Sequence, residues 1–288
     1  MDRLLIIGSA CVDVVIRVDA LPKTGDDLQP ESQRFSVGGC GWNVFRAARK
    51  AGADPVFLAP VGTGVYGDMV ARTLEAAGVP VLARPAEENG CCYCLVEASG
   101  ERTFLSVRGA EYRIRREWLD ALAGPFSLAY VCGMELQEPE GDNILDWLEA
   151  HPETRAFYAP GPRGILLDRE RQARMLNLRP ILHLNGPEAL ALSGADTPEA
   201  AAETLGKCTG QSVIVTLGGD GCLCRTPEGE VLTAPAVPVT VADTIGAGDT
   251  HAGVMLACIH QGIPLPRALE LANAAAAETV SRHGAAVS

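Results

Sequence analysis

Short apolar runs rich in β-branched residues alternate along this chain with Ala- and Glu-rich stretches of helical period, the pattern of parallel strands joined by helices. The runs at 4–8, 55–60, 128–132, 156–158, 181–184 and 212–216 predict central strands. The stretches at 42–51, 68–77, 198–207, 249–261 and 266–283 predict helices. An open sheet of this kind carries helices on both faces and binds its ligands beyond the carboxyl ends of its strands. Two places break the rhythm. Segments near 11–18 and 33–37, and a hairpin pattern within 92–107 closed by Ala98-Ser99-Gly100-Glu101, have no helix between their strands. They predict a small separate sheet, able to cover a site as a lid.

At 288 residues the chain fits one α/β domain spanning 1–288. A formal net charge of −12 argues against nucleic acid or an anionic membrane as a partner, while leaving room for one local positive site. The first apolar run is too short for the core of a signal peptide, and no stretch approaches the roughly 20 apolar residues of a membrane span, so a cytoplasmic protein is expected. Ten cysteines raise a metal reading. In a strand, however, Cys92 and Cys94 share one face while Cys91 takes the other, and no Cys or His pair follows at finger spacing. Reduced, partly buried thiols are expected instead of zinc.

The sharpest chemical signal is Asp243-Thr244-Ile245-Gly246-Ala247-Gly248-Asp249-Thr250, followed by a helix of small residues. Glycines just before a helix let consecutive backbone amides converge, and the helix N-terminus adds partial positive charge, so a phosphoryl anion is stabilised there. A carboxylate beside such a cradle repels the anion. The use left for Asp249 is to accept a proton from an attacking hydroxyl, and the competing reading makes it a helix cap.

This stretch resembles the carboxyl-terminal signature of the ribokinase-like (PfkB) carbohydrate kinases, and the resemblance runs over nearly the whole chain. Gly38-Gly39-Cys40-Gly41-Trp42-Asn43 resembles the family's amino-terminal Gly-Gly motif, and Gly8 to Asp13 its first strand and substrate-contacting Asp. Asn185-Gly186-Pro187-Glu188 resembles its Asn-x-x-Glu, and Thr216 to Gly221 its nucleotide-binding turn. The resemblance implies a three-layer α/β/α sandwich with a mostly parallel central sheet and a small β lid. It implies ATP-dependent phosphorylation of a hydroxyl on a small sugar-like substrate, with Asp249 as general base and Gly246, Ala247 and Gly248 as the anion hole. Asp13, Gly38, Gly39 and Asn43 would hold the substrate, and Asn185, Thr216, Gly218, Gly221 and Asn273 the nucleotide. Glu188 would act on Mg²⁺ through water. Asp243, Ile245, Thr279, Arg282, Gly284 and Ser288 would hold K⁺. A homodimer formed through the lid is also expected.

Each motif has a plainer structural reading. Asn43 alone reads as a helix cap, Asp13 as a solvated strand residue, and Asn185-Gly186-Pro187 as an ordinary helix start. Three departures from the family bear on the substrate. Cys40 stands where ribokinases often have lysine, Trp42 offers an aromatic surface beside the sugar, and His251 replaces an aromatic residue and is expected to pack. A further acidic contact would come from Glu135 or Glu138. A nucleoside, with its base stacked on Trp42, is the alternative substrate class. A non-catalytic sensor on the same fold is the alternative of a different kind.

Overall fold

The computed structural model describes residues 3–164 and 166–281. Among them, a sheet of eight strands runs in the order β12-β11-β10-β9-β8-β7-β1-β4. Its strands are β1 (Arg3–Ile7), β4 (Val56–Leu58), β7 (Phe126–Cys132), β8 (Arg155–Ala159), β9 (Ile181–Asn185), β10 (Val213–Thr216), β11 (Cys222–Arg225) and β12 (Val231–Ala234). From β4 to β10 all pairings are parallel, whereas β11 and β12 run antiparallel along one edge. The helices are α1 (Cys40–Lys50), α2 (Gly64–Ala76), α3 (Arg116–Asp120), α4 (Gly133–Gln137), α5 (Gly141–Ala150), α6 (Gly161–Gly164), α7 (Arg169–Asn177), α8 (Gly186–Ser193), α9 (Pro198–Thr209), α10 (Ala247–His260) and α11 (Leu265–Val280). None is long and apolar enough to cross a membrane.

Continuous apolar strands become a three-layer structure because successive side chains leave opposite faces of the sheet. In β1, Leu4 and Ile6 enter one core with Trp42 and Phe45 of α1 and Met255 and Leu256 of α10. Leu5 and Ile7 enter a second core, with Leu145 and Leu148 of α5 and Leu205 of α9. All six central strands expected from the sequence are present. The antiparallel β11 and β12 were not expected, because Cys-Leu-Cys-Arg is short and lacks the β-branched residues that mark a strand.

The second sheet has the order β3-β2-β5-β6, built from β2 (Cys11–Arg17), β3 (Ser32–Gly38), β5 (Cys91–Val96) and β6 (Arg102–Val107). Its register puts Asp13 in one row with Ser36, Cys92 and Ser106. The row of Arg17, Ser32, Val96 and Arg102 lies four residues along β2. Positions two apart share a face, so Asp13, Arg102, Phe104 and Ser106 all project from the same side of this sheet.

One close helix contact positions everything that follows. α1 lies on α10 where Gly253 leaves no room for a side chain: a Cβ there would fall 2.5 Å from the Val44 carbonyl oxygen. The small residue lets the two backbones approach and brings the N-terminal turns of both helices to one cleft.

Candidate active site

The substrate side of the cleft is built on two glycines. Gly38 ends β3 beside Asp13, and a Cβ on it would sit 2.1 Å from Asp13 Oδ2, so only glycine lets this carboxylate lie against the backbone. Gly39, with φ of 98°, turns the chain into α1 and accepts the Asn43 amide at 2.9 Å. Asn43 is buried. Its Nδ2 donates to Asp249 Oδ2 at 2.9 Å, across 206 residues of sequence, and its Oδ1 finds no partner among the described residues. A buried acceptor left without a donor is costly, and a hydroxyl from a bound molecule is the kind of group that satisfies it.

Asp249 stands at the third position of α10. Burial pushes its carboxyl up to about 6, opposed by the Asn43 bond. Asp13 is likewise raised to about 6, by burial and then by the charge of Asp249. Two buried acids in one cleft, both raised, mark it as a candidate proton-handling site. Gly246, at φ of 76°, makes the turn into the helix, and the Thr250 amide returns to its carbonyl at 2.8 Å. The Ala247 amide closes a turn on Thr244 at 3.3 Å. A Cβ on Gly248 would meet nothing within 4 Å, so there is open space beside the first turn of α10, whose first amides have no partner within the helix.

Beyond that helix start lies a cavity of 450 Å³. Thr216, Gly218, Gly221 and Asn273 line it together with Ala247 and Gly248, so most of the residues assigned to nucleotide and to anion hole border one cavity, while Asn185 and Gly246 do not line it. Gly221 must be glycine: its φ is 94°, and a Cβ would fall 2.1 Å from the Ala234 carbonyl oxygen. Asn273 holds the cavity in shape by donating Nδ2 to the carbonyls of Ala234 and Pro235, both at 3.0 Å. A separate cavity of 530 Å³ lies between α1, α10 and α11 and contains neither Asp13 nor Asp249.

Asn185 and Glu188 form a reciprocal cap at the start of α8, so the plainer structural reading of that motif holds. The Glu188 amide donates to Asn185 Oδ1 at 2.8 Å, and Glu188 Oε2 accepts the Asn185 amide at 3.0 Å. This does not remove them from the site. Asn185 pairs with Thr216 at the carboxyl end of the sheet, and the charge of Glu188 is felt at Asp249. The pair supplies hard oxygen donors at the cleft, which suits Mg²⁺ held through water.

The K⁺ set is only partly described. Arg282, Gly284 and Ser288 lie outside the described residues. Asp243 Oδ1 is already taken by Arg102 Nη2 at 2.9 Å and by the Ile245 amide at 2.8 Å. The Thr279 hydroxyl is engaged with Thr250 and Ala275, at 3.1 Å each.

Other expectations need correction. Trp42 is only 3 % exposed and stacks on Phe45 at 5.5 Å inside the core, because its position on α1 faces the sheet. It offers no platform to a ligand. Cys40 remains half-buried, and its thiol is held well above its ordinary value by the neighbouring Cys132 and by burial. Of the two acidic alternatives, Glu135 is buried with Oε1 on the Ser9 amide at 2.8 Å, and Glu138 is ion-paired with Arg108. His251 packs as expected, with Nδ1 2.8 Å from His183 Nε2, and burial pushes it down to about 4. Sequence reasoning missed the hold of Asn43 on Asp249 and the reach of Arg102 to Asp243.

Comparison with known proteins bears on all of this. The model of the pfkB family carbohydrate kinases matches residues 1–288. An uncharacterized sugar kinase of Escherichia coli K12, YegV, is 36 % identical over 98 % of this chain and 89 % of its own length. The ribokinase of Thermotoga maritima superposes with a TM-score of 0.87 at 23 % identity, covering 99 % of this chain and 95 % of that one. The ribokinase of Arabidopsis thaliana, solved with ribose and ATP, gives 0.80 at 22 %, covering 99 % and 94 %.

Proposed function

The chain belongs to the pfkB family of carbohydrate kinases, and from that membership we propose that it transfers the γ-phosphoryl group of ATP to a hydroxyl of an unphosphorylated sugar, with Asp249 as general base. The observation that carries this reading is the Asn43–Asp249 hydrogen bond at 2.9 Å, beside the amides that open α10. In this reading Asp13 and the free Oδ1 of Asn43 take substrate hydroxyls. Asn43 also keeps Asp249 oriented and its carboxylate charged, as the acceptor for the hydroxyl proton. The amides of Gly248 and Asp249 face the charge that spreads over the transferring group. Thr216, Gly218, Gly221 and Asn273 frame the nucleotide. Mg²⁺, acting through Glu188, would supply neutralising charge at the phosphates. The second sheet, with Asp13 on its inner face, serves as the lid that excludes water.

A nucleoside is the second reading. With Trp42 buried, its base would need another surface, and Phe104, 52 % exposed on the face that bears Asp13, is the one at hand.

A coupled ADP-release screen over free sugars, sugar phosphates and nucleosides tests the proposal, run on the native protein and on Asp249→Asn. A free sugar should win. Asn preserves size and capping, so Asp249→Asn should lose about 10² to 10⁴ in kcat, the usual cost of a general base, with ATP binding kept. A sugar phosphate preferred by about tenfold, roughly 1.4 kcal/mol, refutes the substrate class. A folded Asp249→Asn protein keeping more than about a tenth of native kcat returns Asp249 to a structural cap.

A further inference from the structure

Positive charge gathers at one place in a chain whose formal net charge is −12. Arg108 follows β6 directly, two residues after Ser106, which shares its row with Asp13. Strand spacing and rise put the Arg108 and Asp13 backbones roughly 12 Å apart on the second sheet. Arg163 lies on α6, in the connection that leaves the carboxyl end of β8, and Gln137 ends α4, in the connection that leaves β7. Ligands of an open α/β sheet bind at such connections. Gln137 Oε1 accepts from Arg108 Nη2 at 3.0 Å and from Arg163 Nη1 at 3.5 Å. Two cations from separate elements therefore converge on one neutral oxygen. Arg108 also pairs with Glu138, and its guanidinium lies 6.0 Å from the centre of the Tyr112 ring, whose hydroxyl approaches Cys11 beside Gly38. Among the described residues, Glu138 is the one carboxylate paired with either arginine. The turn that carries Gln137 and Glu138 is fixed from behind: Arg171 donates to the carbonyls of Leu136, Glu138 and Pro139 at 2.8 to 3.1 Å and is itself held by Asp142. The cluster thus has two positive charges, one negative charge and an uncharged acceptor where a second negative charge would be stabilised most.

We propose that Arg108 and Arg163 form an anion pocket at the sugar end of the cleft, and that the substrate is a sugar acid, an unphosphorylated sugar whose carboxylate takes the place of the Gln137 amide oxygen between the two guanidinium groups. The inference rests on the kinase reading above and names the substrate class of that same site. A carboxylate accepts from guanidinium groups far more strongly than an amide does, and its planar shape suits them. The charge count selects carboxylate over phosphate. With Glu138 cancelling one arginine, a single positive charge is left to meet the single negative charge of a carboxylate, whereas a phosphate ester brings about −1.5 to −2 up against Glu138. One end of the substrate is then held by charge, its hydroxyls by Asp13 and Asn43, and the hydroxyl that accepts the phosphoryl group is presented to Asp249.

The test is ADP release by the native protein, Arg163→Gln and Gln137→Glu on a panel of aldonic, ketoaldonic and uronic acids, each beside its neutral parent sugar and the matching sugar phosphate. Readouts are kcat and KM separately, with a melting temperature for each protein. The best acid should exceed its neutral parent by about tenfold to a hundredfold in kcat/KM, the usual worth of hydrogen bonds to a charged group. Arg163→Gln should lower that acid-to-neutral ratio by about tenfold or more, chiefly through KM, because the contact is made in the ground state and the transition state alike. Gln137→Glu keeps the size of the side chain but supplies the pocket with its own carboxylate, so it should lower the ratio as well. A neutral sugar turned over better than every acid overturns the proposal and leaves the kinase reading standing. A preferred sugar phosphate overturns it too, as does a folded Arg163→Gln protein whose acid-to-neutral ratio stays native. Failure of the native protein to release ADP with any member of the panel is a different result, and it removes the kinase reading itself.

Discussion

Replacing Gly253 by alanine probes the packing that assembles the site without touching any group in it. A Cβ at 253 would stand 2.5 Å from the Val44 carbonyl oxygen, 2.7 Å from the Ala47 Cβ and 3.2 Å from the Ala48 nitrogen. The first contact is about 0.9 Å short of an ordinary van der Waals separation of ~3.4 Å. Two of the three neighbours are α1 backbone, so no side chain can turn aside and α1 itself must retreat. Overpacking of this kind costs about 1–3 kcal/mol. Alanine is a better helix former than glycine by about 1 kcal/mol, and residue 253 does not have a left-handed φ, so the net destabilisation is between nothing and about 2 kcal/mol. For a chain of this size that lowers Tm by no more than roughly 4–8 °C. Activity should suffer far more. Asn43 sits one residue before Val44 and spans 2.9 Å to Asp249, so a shift approaching ~1 Å breaks the bond and should cost about 10² in kcat. Calorimetric melting alongside ADP-release kinetics checks both halves. An alanine variant with kcat within twofold of native would refute the argument that α1–α10 packing sets the geometry of the base.

Two further outcomes follow from the same contacts. Because burial raises the Asp249 carboxyl to about 6, the base is lost as pH falls through that value, and kcat/KM should drop about tenfold per unit below it; a flat profile from pH 7 to 5 would exclude this carboxylate as the base. The stability effect has the opposite sense: Asp13 and Asp249 both rise from 3.8 to about 6 on folding, so the native state holds protons that the unfolded chain has released. Stability should then decline between about pH 4 and 6 as pH rises, which melting curves across that window can check. On the face of the second sheet opposite Asp13, Phe35 and Leu105 lie at the two edges of a row whose middle, Val14, is buried in the core; they are 50 % and 58 % exposed, with Val107 two residues on. An apolar face of this kind fits a second copy of the chain, so light scattering should show a dimer that Phe35→Glu/Leu105→Glu converts to monomer. A native monomer at micromolar concentration would rule that pairing out.

What the sequence determined by itself is the set of features whose causes are local. Apolar runs bounded by turns marked six central strands, because a parallel strand covered on both faces must be apolar along its length. Gly38, Gly39, Gly221 and Gly246 were legible because the backbone at each admits no side chain or requires a positive φ, a demand that shows in a single letter of sequence. The order of the motifs, each just after a strand, was enough to mark one end of the sheet as the site. Tertiary structure alone decided which of those residues meet, and how each side chain is used. Trp42 looked like a platform until the position of α1 turned it into the core. Asn43 looked like a substrate ligand alone until the absence of a side chain at Gly253 brought it onto Asp249. Asp243, read from the sequence as a cation ligand, also receives Arg102 through the register of a distant hairpin. The contacts of Asn43 with Asp249 and of Arg102 with Asp243 join residues more than a hundred positions apart, and their geometry depends on how helices and sheets pack. Hydrophobic period and turn chemistry describe one stretch of chain at a time, so neither carries that information.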